Sequence, residues 1–202
     1  RHAVPRMEEL VDSKARIVDF PIADVETSQR FAKELLAELT PSVVIAIERC
    51  GVTEEGLYRN SRDLDITEYN ARTDYLFTDQ PNTVGIGDGG NEIGMGNIAS
   101  VVTTVPSLVK IPCITTTTSL ILASVSNWGG YGLVAALSLR KGRNLLPSVA
   151  EDEELIRRAV SLGAADGYSN KVVDRVDGFT LEENGRPLAR LHELLAGQGI
   201  SS

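Results

Sequence analysis

Basic residues are scarce in this chain: 20 lysines and arginines stand against 28 acids over 202 residues, a net charge of -8. With no basic stripe to displace the counterions of a phosphate backbone, no nucleic-acid partner is expected. Histidine occurs only at His2 and His192, in no motif, where surface or packing roles are the default. No histidine is placed to activate Ser126, which also lacks a GxSxG elbow, so a serine hydrolase is not expected. Cysteine is limited to Cys50 and Cys113, without CxxC spacing. That usage fits small buried side chains in a reducing compartment better than zinc or redox chemistry, and the expected location is the cytoplasm, or the mitochondrial matrix in a eukaryote. No apolar run approaches the roughly 18 residues a membrane span requires, so no membrane partner is expected. Repeats, heptads and low-complexity segments are absent as well.

What is present suits a folded α/β domain. A hydrophobic fraction of 42% over 202 residues is ordinary for a chain that buries a sizeable core. One domain over residues 1–202 is expected; because the opening RHAVPRMEELV reads like the middle of a domain, an earlier βα unit is expected to be missing. Ala15–Val18 reads as a short strand, and Val25–Leu39 as a helix capped by Asp24, with Phe31, Leu35 and Leu39 on one face and Pro41 beyond its end. Ser42–Ile47 has the continuous apolar pattern of a parallel strand buried on both faces. Thr83–Ile86 and Leu120–Val125 read as two more strands. Helices are expected over Gly130–Leu139, over Glu151–Leu162 with Gly163 closing it, and from Pro187 with Leu188, Leu191 and Leu195 as its apolar stripe. Alternating strands and helices predict a layered α/β sandwich with a mostly parallel central sheet and helices on both faces.

Chemistry concentrates where strands end. Gly85–Gly96 reads GIGDGGNEIGMG, half of it glycine, interrupted by Asp88, Asn91 and Glu92. Glycine at this density marks backbone that bends sharply or approaches a ligand closely. Three strand-like runs each lead into a polar cluster: Glu48-Arg49, the glycine loop, and Ser126-Asn127-Trp128-Gly129-Gly130. In a parallel sheet those carboxyl ends share an edge, so the three clusters together are expected to line one cleft, although each alone reads more readily as a turn or a helix cap. Arg49 can clamp a carboxylate with its planar fork or pair with Glu48 or Asp88. Tyr58 and Asn60 lie in the long polar segment Glu48–Asp65, placed either to close over a ligand or simply to pack. Asn127 offers both donor and acceptor, Trp128 a pocket wall or a core residue, and Asp166 in GAADGY a turn residue first and a site candidate second.

Two familiar motifs fit poorly. Gly85-x-Gly87-x-x-Gly90 matches the dinucleotide fingerprint formally, but Asp88 inside the turn would face pyrophosphate, and about 20 residues on the chain offers Lys110 rather than an acid. No nucleotide is expected. Asp63-Leu64-Asp65-Ile66-Thr67 with GDGGNE resembles the haloacid-dehalogenase phosphatase motifs, yet here they lie close together and DLDIT follows no hydrophobic strand.

IAIERCG, GIGDGGNEIGMG, ASVSNWGGYGL and GAADG occur in the order found in the D-glutamate cyclase family, which the chain resembles from about Val43 to Gly178. It departs from that family's pattern at Cys50 and at Leu57-Tyr58-Arg59-Asn60, and in the threonine run Thr115–Thr118. The resemblance implies a hydro-lyase that dehydrates D-glutamate to 5-oxo-D-proline. It implies Asp88, Glu92 and Glu48 as the acids, with Asp88 and Glu92 serving either as ligands of a divalent cation, Mn²⁺ or Mg²⁺, or as general base. Arg49, Asn91, Ser126, Asn127, Trp128, Tyr58, Asn60, Gly89 and Gly90 would surround the substrate, with Asp166 in a secondary position. A non-catalytic amino-acid-binding domain and a metal-dependent phosphate-ester or NTP hydrolase are the rival expectations. D-glutamate is the expected partner, and a homo-oligomer is compatible with the sequence.

Overall fold

The computed structural model describes residues 15–200, in which the contacts form two compact units, Phe20–Gly130 and a second that holds Tyr131 onward with the residues before Phe20. Ala15–Val18, expected as a strand, is irregular chain. The first unit opens with α1 (Val25–Leu39), where Asp24 accepts a hydrogen bond from Thr27 N at 2.8 Å and so satisfies one orphan amide of the first turn. Ser28 and Ala32 form its buried row, while Leu39 is exposed. Phe31 meets Phe20 edge to face, ring centroids 4.9 Å apart. The helix ends at Thr40 in the left-handed region, before the proline reached from sequence.

β1 (Val44–Ile47), β2 (Thr83–Gly87) and β3 (Ser119–Leu122) make a parallel sheet in the order β1-β2-β3, with Ala46 beside Gly85 and Gly85 beside Leu120. Strands and helices alternate along the chain, as the α/β reading expects. One sheet face carries Val44, Ala46 and Leu120; Ala46 packs with Phe77 and Ile93, and Leu120 against a second cluster of Met95, Val102 and Val109. Val102 comes from the single-turn α2 (Ala99–Val102). The other face carries Ile45, Ile47, Ile86 and Ile121. Here the expectation of a first strand buried on both sides is corrected. Ile45 and Ile47 are exposed, because β1 lies at the edge of the sheet and only its Ala46 side is covered.

α3 (Ser126–Lys141) starts four residues earlier than its apolar spacing predicts, so SNWGG forms its first turn rather than a loop. Gly129 makes this possible: a Cβ there would lie 2.5 Å from Ile86 Cγ2, so only glycine lets the helix come this close to β2.

In the second unit, α4 (Val149–Ser161) and α5 (Leu181–Gly197) pack together, α5 following the hairpin of β4 (Arg175–Val176) and β5 (Phe179–Thr180). Both helices begin with a capping box, Ser148 with Glu151 and Thr180 with Glu183. α5 therefore begins six residues before Pro187, which lies inside it. Leu188 and Leu195 are buried as expected, together with Leu181. Beneath them Asp152 accepts hydrogen bonds from Tyr131 Oη at 2.7 Å and Asn184 Nδ2 at 3.1 Å.

Candidate active site

The exits of all three strands are stitched together by main-chain hydrogen bonds. Glu48 N donates to Ile86 O at 3.1 Å, prolonging the β1–β2 ladder by one residue. Beyond it, residues 49–51 pair antiparallel with 91–93: Gly51 N donates to Asn91 O at 2.9 Å and Ile93 N to Arg49 O at 2.8 Å. From β3 the chain returns to β2 through Ala123 N on Gly87 O, at 3.3 Å, and Ser126 N on Asp88 Oδ2, at 3.1 Å. The consequence is a single acidic cluster. One carboxylate oxygen from each of Glu48, Asp88 and Glu92 lies within 4.8 Å of the others, Glu48 exposed, Asp88 half-buried and Glu92 buried.

Glu92 is held by the loop it belongs to. Its Oε1 accepts from Gly89 N at 3.0 Å and its Oε2 from Gly90 N at 2.8 Å. Gly90 turns with φ 103°, a conformation an L side chain would resist, and this turn aims both amides at the carboxylate. Glu48 also has a positive φ, 52°, a costly setting for a residue with a Cβ. Among the described residues two buried side-chain atoms have no hydrogen-bond partner, Asn91 Oδ1 and Ser126 Oγ, and both belong to motifs that meet at the acids. Buried polar atoms without partners are costly, and an ordered water or a bound ligand is what satisfies them.

The remaining expected residues divide. Arg49 lies next to Glu48 in the chain, but its Nε donates to Thr73 Oγ1 at 3.0 Å and its Nη2 to Ala71 O at 2.7 Å, so much of its fork is used within the fold. Tyr58 is 1% exposed, its hydroxyl donating to Asp74, and Arg72 lies 5.5 Å from its ring centroid. Burial, followed by the charge of Asp74, pushes its phenol well above the ordinary tyrosine range. It is a core residue of the loop rather than a lid. Asn60 shapes the same loop, its Oδ1 accepting from Arg62 N and Leu64 N. Asp63 and Asp65 bind backbone amides of Lys110, Ile111 and Thr67, the work of turn formers rather than phosphatase acids. Asn127 is exposed and Trp128 half-buried at the start of α3. Asp166 belongs to the other unit, where it accepts from Ser169 N and Gly178 N. Burial pushes its pKa up, but those bonds outweigh it and hold the carboxyl below its ordinary value.

Sequence reading missed Asp74, which is buried and accepts from Val52 N, Tyr58 Oη and Thr115 Oγ1, tying three separate segments behind the cluster. Its partners are up to 41 residues away, and no local spacing marks them. Cys50 and Cys113 are buried free thiols, and burial pushes them up to about 11 and about 12, so both stay protonated near neutrality.

Residues 3–192 match the family described as D-glutamate cyclase-like, C-terminal. The mitochondrial D-glutamate cyclase of Homo sapiens is 33% identical over 159 residues, which is 75% of this chain and 25% of that protein. The chain thus spans about a quarter of that relative's length, and it belongs to the D-glutamate cyclase-like family.

Proposed function

We propose that this member of the D-glutamate cyclase-like family is a hydro-lyase acting on D-glutamate, with Glu48, Asp88 and Glu92 at its centre. The observation that carries the reading is the meeting of three carboxylates, from two strand exits and one glycine loop, within 4.8 Å. In the reaction the α-nitrogen bonds to the γ-carboxyl carbon while one carbon–oxygen bond breaks. The ammonium gives up two hydrogens, which leave with that oxygen as water, and charge balances at -1 on both sides. Ring closure is intramolecular, so holding the chain folded removes much of the entropic barrier.

Glu48 is the most exposed acid and is suited to take the ammonium proton. Glu92 already accepts an amide N–H on each oxygen and serves as a fixed negative charge. Carboxylates this close repel by roughly 3 kcal/mol a pair at an effective dielectric of about 20. An oxygen-rich set of this kind suits a hard divalent cation, Mn²⁺ or Mg²⁺, held by Asp88 and Glu92 with Glu48 in reach. When bound, such an ion would polarise the γ-carboxylate as a Lewis acid. Ser126 Oγ, buried and unpartnered, is available to donate to a substrate carboxylate, with Asn127 exposed beside it.

The test is to incubate the protein with D- and L-glutamate, with and without Mn²⁺ or Mg²⁺, and to follow 5-oxoproline by chiral chromatography. Product is expected from the D enantiomer only, lost on chelation and restored by the cation. Product from neither enantiomer under any condition would refute the reading. Binding of D-glutamate without product would make the domain a receptor. Asp88→Asn keeps an acceptor for Ser126 N but removes the charge, so turnover should fall at least about 100-fold with an unchanged circular dichroism spectrum.

A further inference from the structure

Asn91 carries one of the two unpartnered buried side-chain atoms, and its place in the glycine loop puts that atom next to an acid. The residue is 8% exposed, and its Oδ1 has no hydrogen-bond partner. A Cβ built on Gly89 would lie 3.1 Å from Glu92 Oε1 and 3.2 Å from Asn91 Oδ1, and outside residues 88–90 no other atom of the described residues comes within 4 Å of that point. The bare face of the glycine is thus a gap bordered by two oxygens, one of them from Glu92, whose carboxylate meets those of Glu48 and Asp88 within 4.8 Å. Main-chain bonds hold this stretch without help from the Asn91 side chain: Gly51 N donates to Asn91 O at 2.9 Å and Ile93 N to Arg49 O at 2.8 Å.

We propose that Asn91 Oδ1 is a further protein ligand of the cation held by Asp88 and Glu92, and that its neutrality is what leaves the loaded site able to accept a dicarboxylate. The proposal rests on the cation and the D-glutamate reading above. Hard divalent cations take about six oxygens, amide carbonyls among them, and the three carboxylates leave places to fill. Three carboxylates against a dication already sum to one negative charge, and D-glutamate brings one more. A fourth carboxylate at position 91 would hold the cation harder and repel the substrate. An amide oxygen supplies the ligand without the charge.

The experiment compares the whole protein with Asn91→Ala and Asn91→Asp by calorimetry. Without any amino acid, Mn²⁺ should bind about 10-fold more weakly to Asn91→Ala and about 10-fold more tightly to Asn91→Asp. At saturating Mn²⁺ the order should invert for D-glutamate, with Asn91→Asp binding it about 10-fold more weakly than the parent. A second measurement needs no substitution: in ¹³C spectra of the parent the Asn91 side-chain carbonyl should move as Mg²⁺ binds, while that of Asn60, committed to Arg62 N and Leu64 N, stays in place. Mn²⁺ affinity unchanged in Asn91→Ala, the result expected if water alone satisfies Oδ1, would overturn the proposal, and so would a stationary Asn91 carbonyl. Tighter binding of both Mn²⁺ and D-glutamate by Asn91→Asp would overturn the charge argument. If the parent binds Mn²⁺ but no D-glutamate, the D-glutamate reading falls together with that argument, and the Mn²⁺ order alone decides the ligand. A parent that binds no divalent cation overturns the ligand assignment, while 5-oxoproline formation decides the enzymatic reading separately.

Discussion

Glu48 holds a backbone angle that glycine would adopt without cost, at the point where β1 releases the chain toward the acids. The left-handed conformation costs a residue with a Cβ roughly 1 kcal/mol, and the strain is kept where a carboxylate is needed. Glu48→Gly should therefore stabilise the protein by about 1 kcal/mol in urea unfolding and at the same time weaken Mn²⁺ binding at least about 10-fold. A variant that lost stability while retaining cation affinity would show that the backbone, not the side chain, is what position 48 contributes. Asp88 and Glu92 were legible at this scale because acids set among glycines at the end of a strand mark a candidate site, and the structure brings them together with Glu48. The commitments of Arg49 and Tyr58 were not, since Thr73 and Asp74 reach them through the tertiary fold and leave no mark on local spacing.

Elements were read well where their apolar period is long and poorly at their ends. α1 matches its sequence limits because Asp24 announces it, whereas α5 was entered at Pro187 although Thr180 and Glu183 spell a capping box seven residues earlier. The glycines hid the start of α3: Gly129 and Gly130 argue against helix locally, and only the close approach to Ile86 makes glycine favourable at 129. Across α3, α4 and α5, Asp152 joins Tyr131 and Asn184. Burial raises its pKa above the ordinary carboxylate value, outweighing the hydrogen bonds that lower it. A raised folded value means that protonation favours the native state. Its stabilising contribution is complete below the ordinary carboxylate pKa of about 4 and is lost as pH climbs through the folded value. Asp152→Asn imitates the protonated form, and the Asn184 amide can turn over to accept its new NH₂. The variant should be more stable than the parent at pH 7, with the gap closing toward pH 4. Urea midpoints at the two pH values check this, and a gap that widened on acidification would contradict the sign.

For the whole molecule, a net charge of -8 opposes the approach of an anionic substrate and favours a cation, so affinity for Mn²⁺ should fall as salt screens the field. The class of fold could be read from the sequence because strands and helices alternate; the division into two compact units could not, because it falls at Gly130 and Tyr131, inside α3, with no break in composition. The edge position of β1 has a practical outcome for anyone concentrating the protein. Ile45 and Ile47 stand 41% and 49% exposed on a strand whose outer side has no partner among the described strands. An apolar strand with free amides and carbonyls is a template on which a second molecule can add its own strand, and storage at high concentration then selects for oligomers and, in time, precipitate. Ile45→Lys places a charge on that template, where any added strand would have to bury it. Static light scattering over days should show the variant remaining monodisperse at concentrations where the parent grows, with a thermal midpoint within about 2 °C of the parent's for a change at so exposed a site.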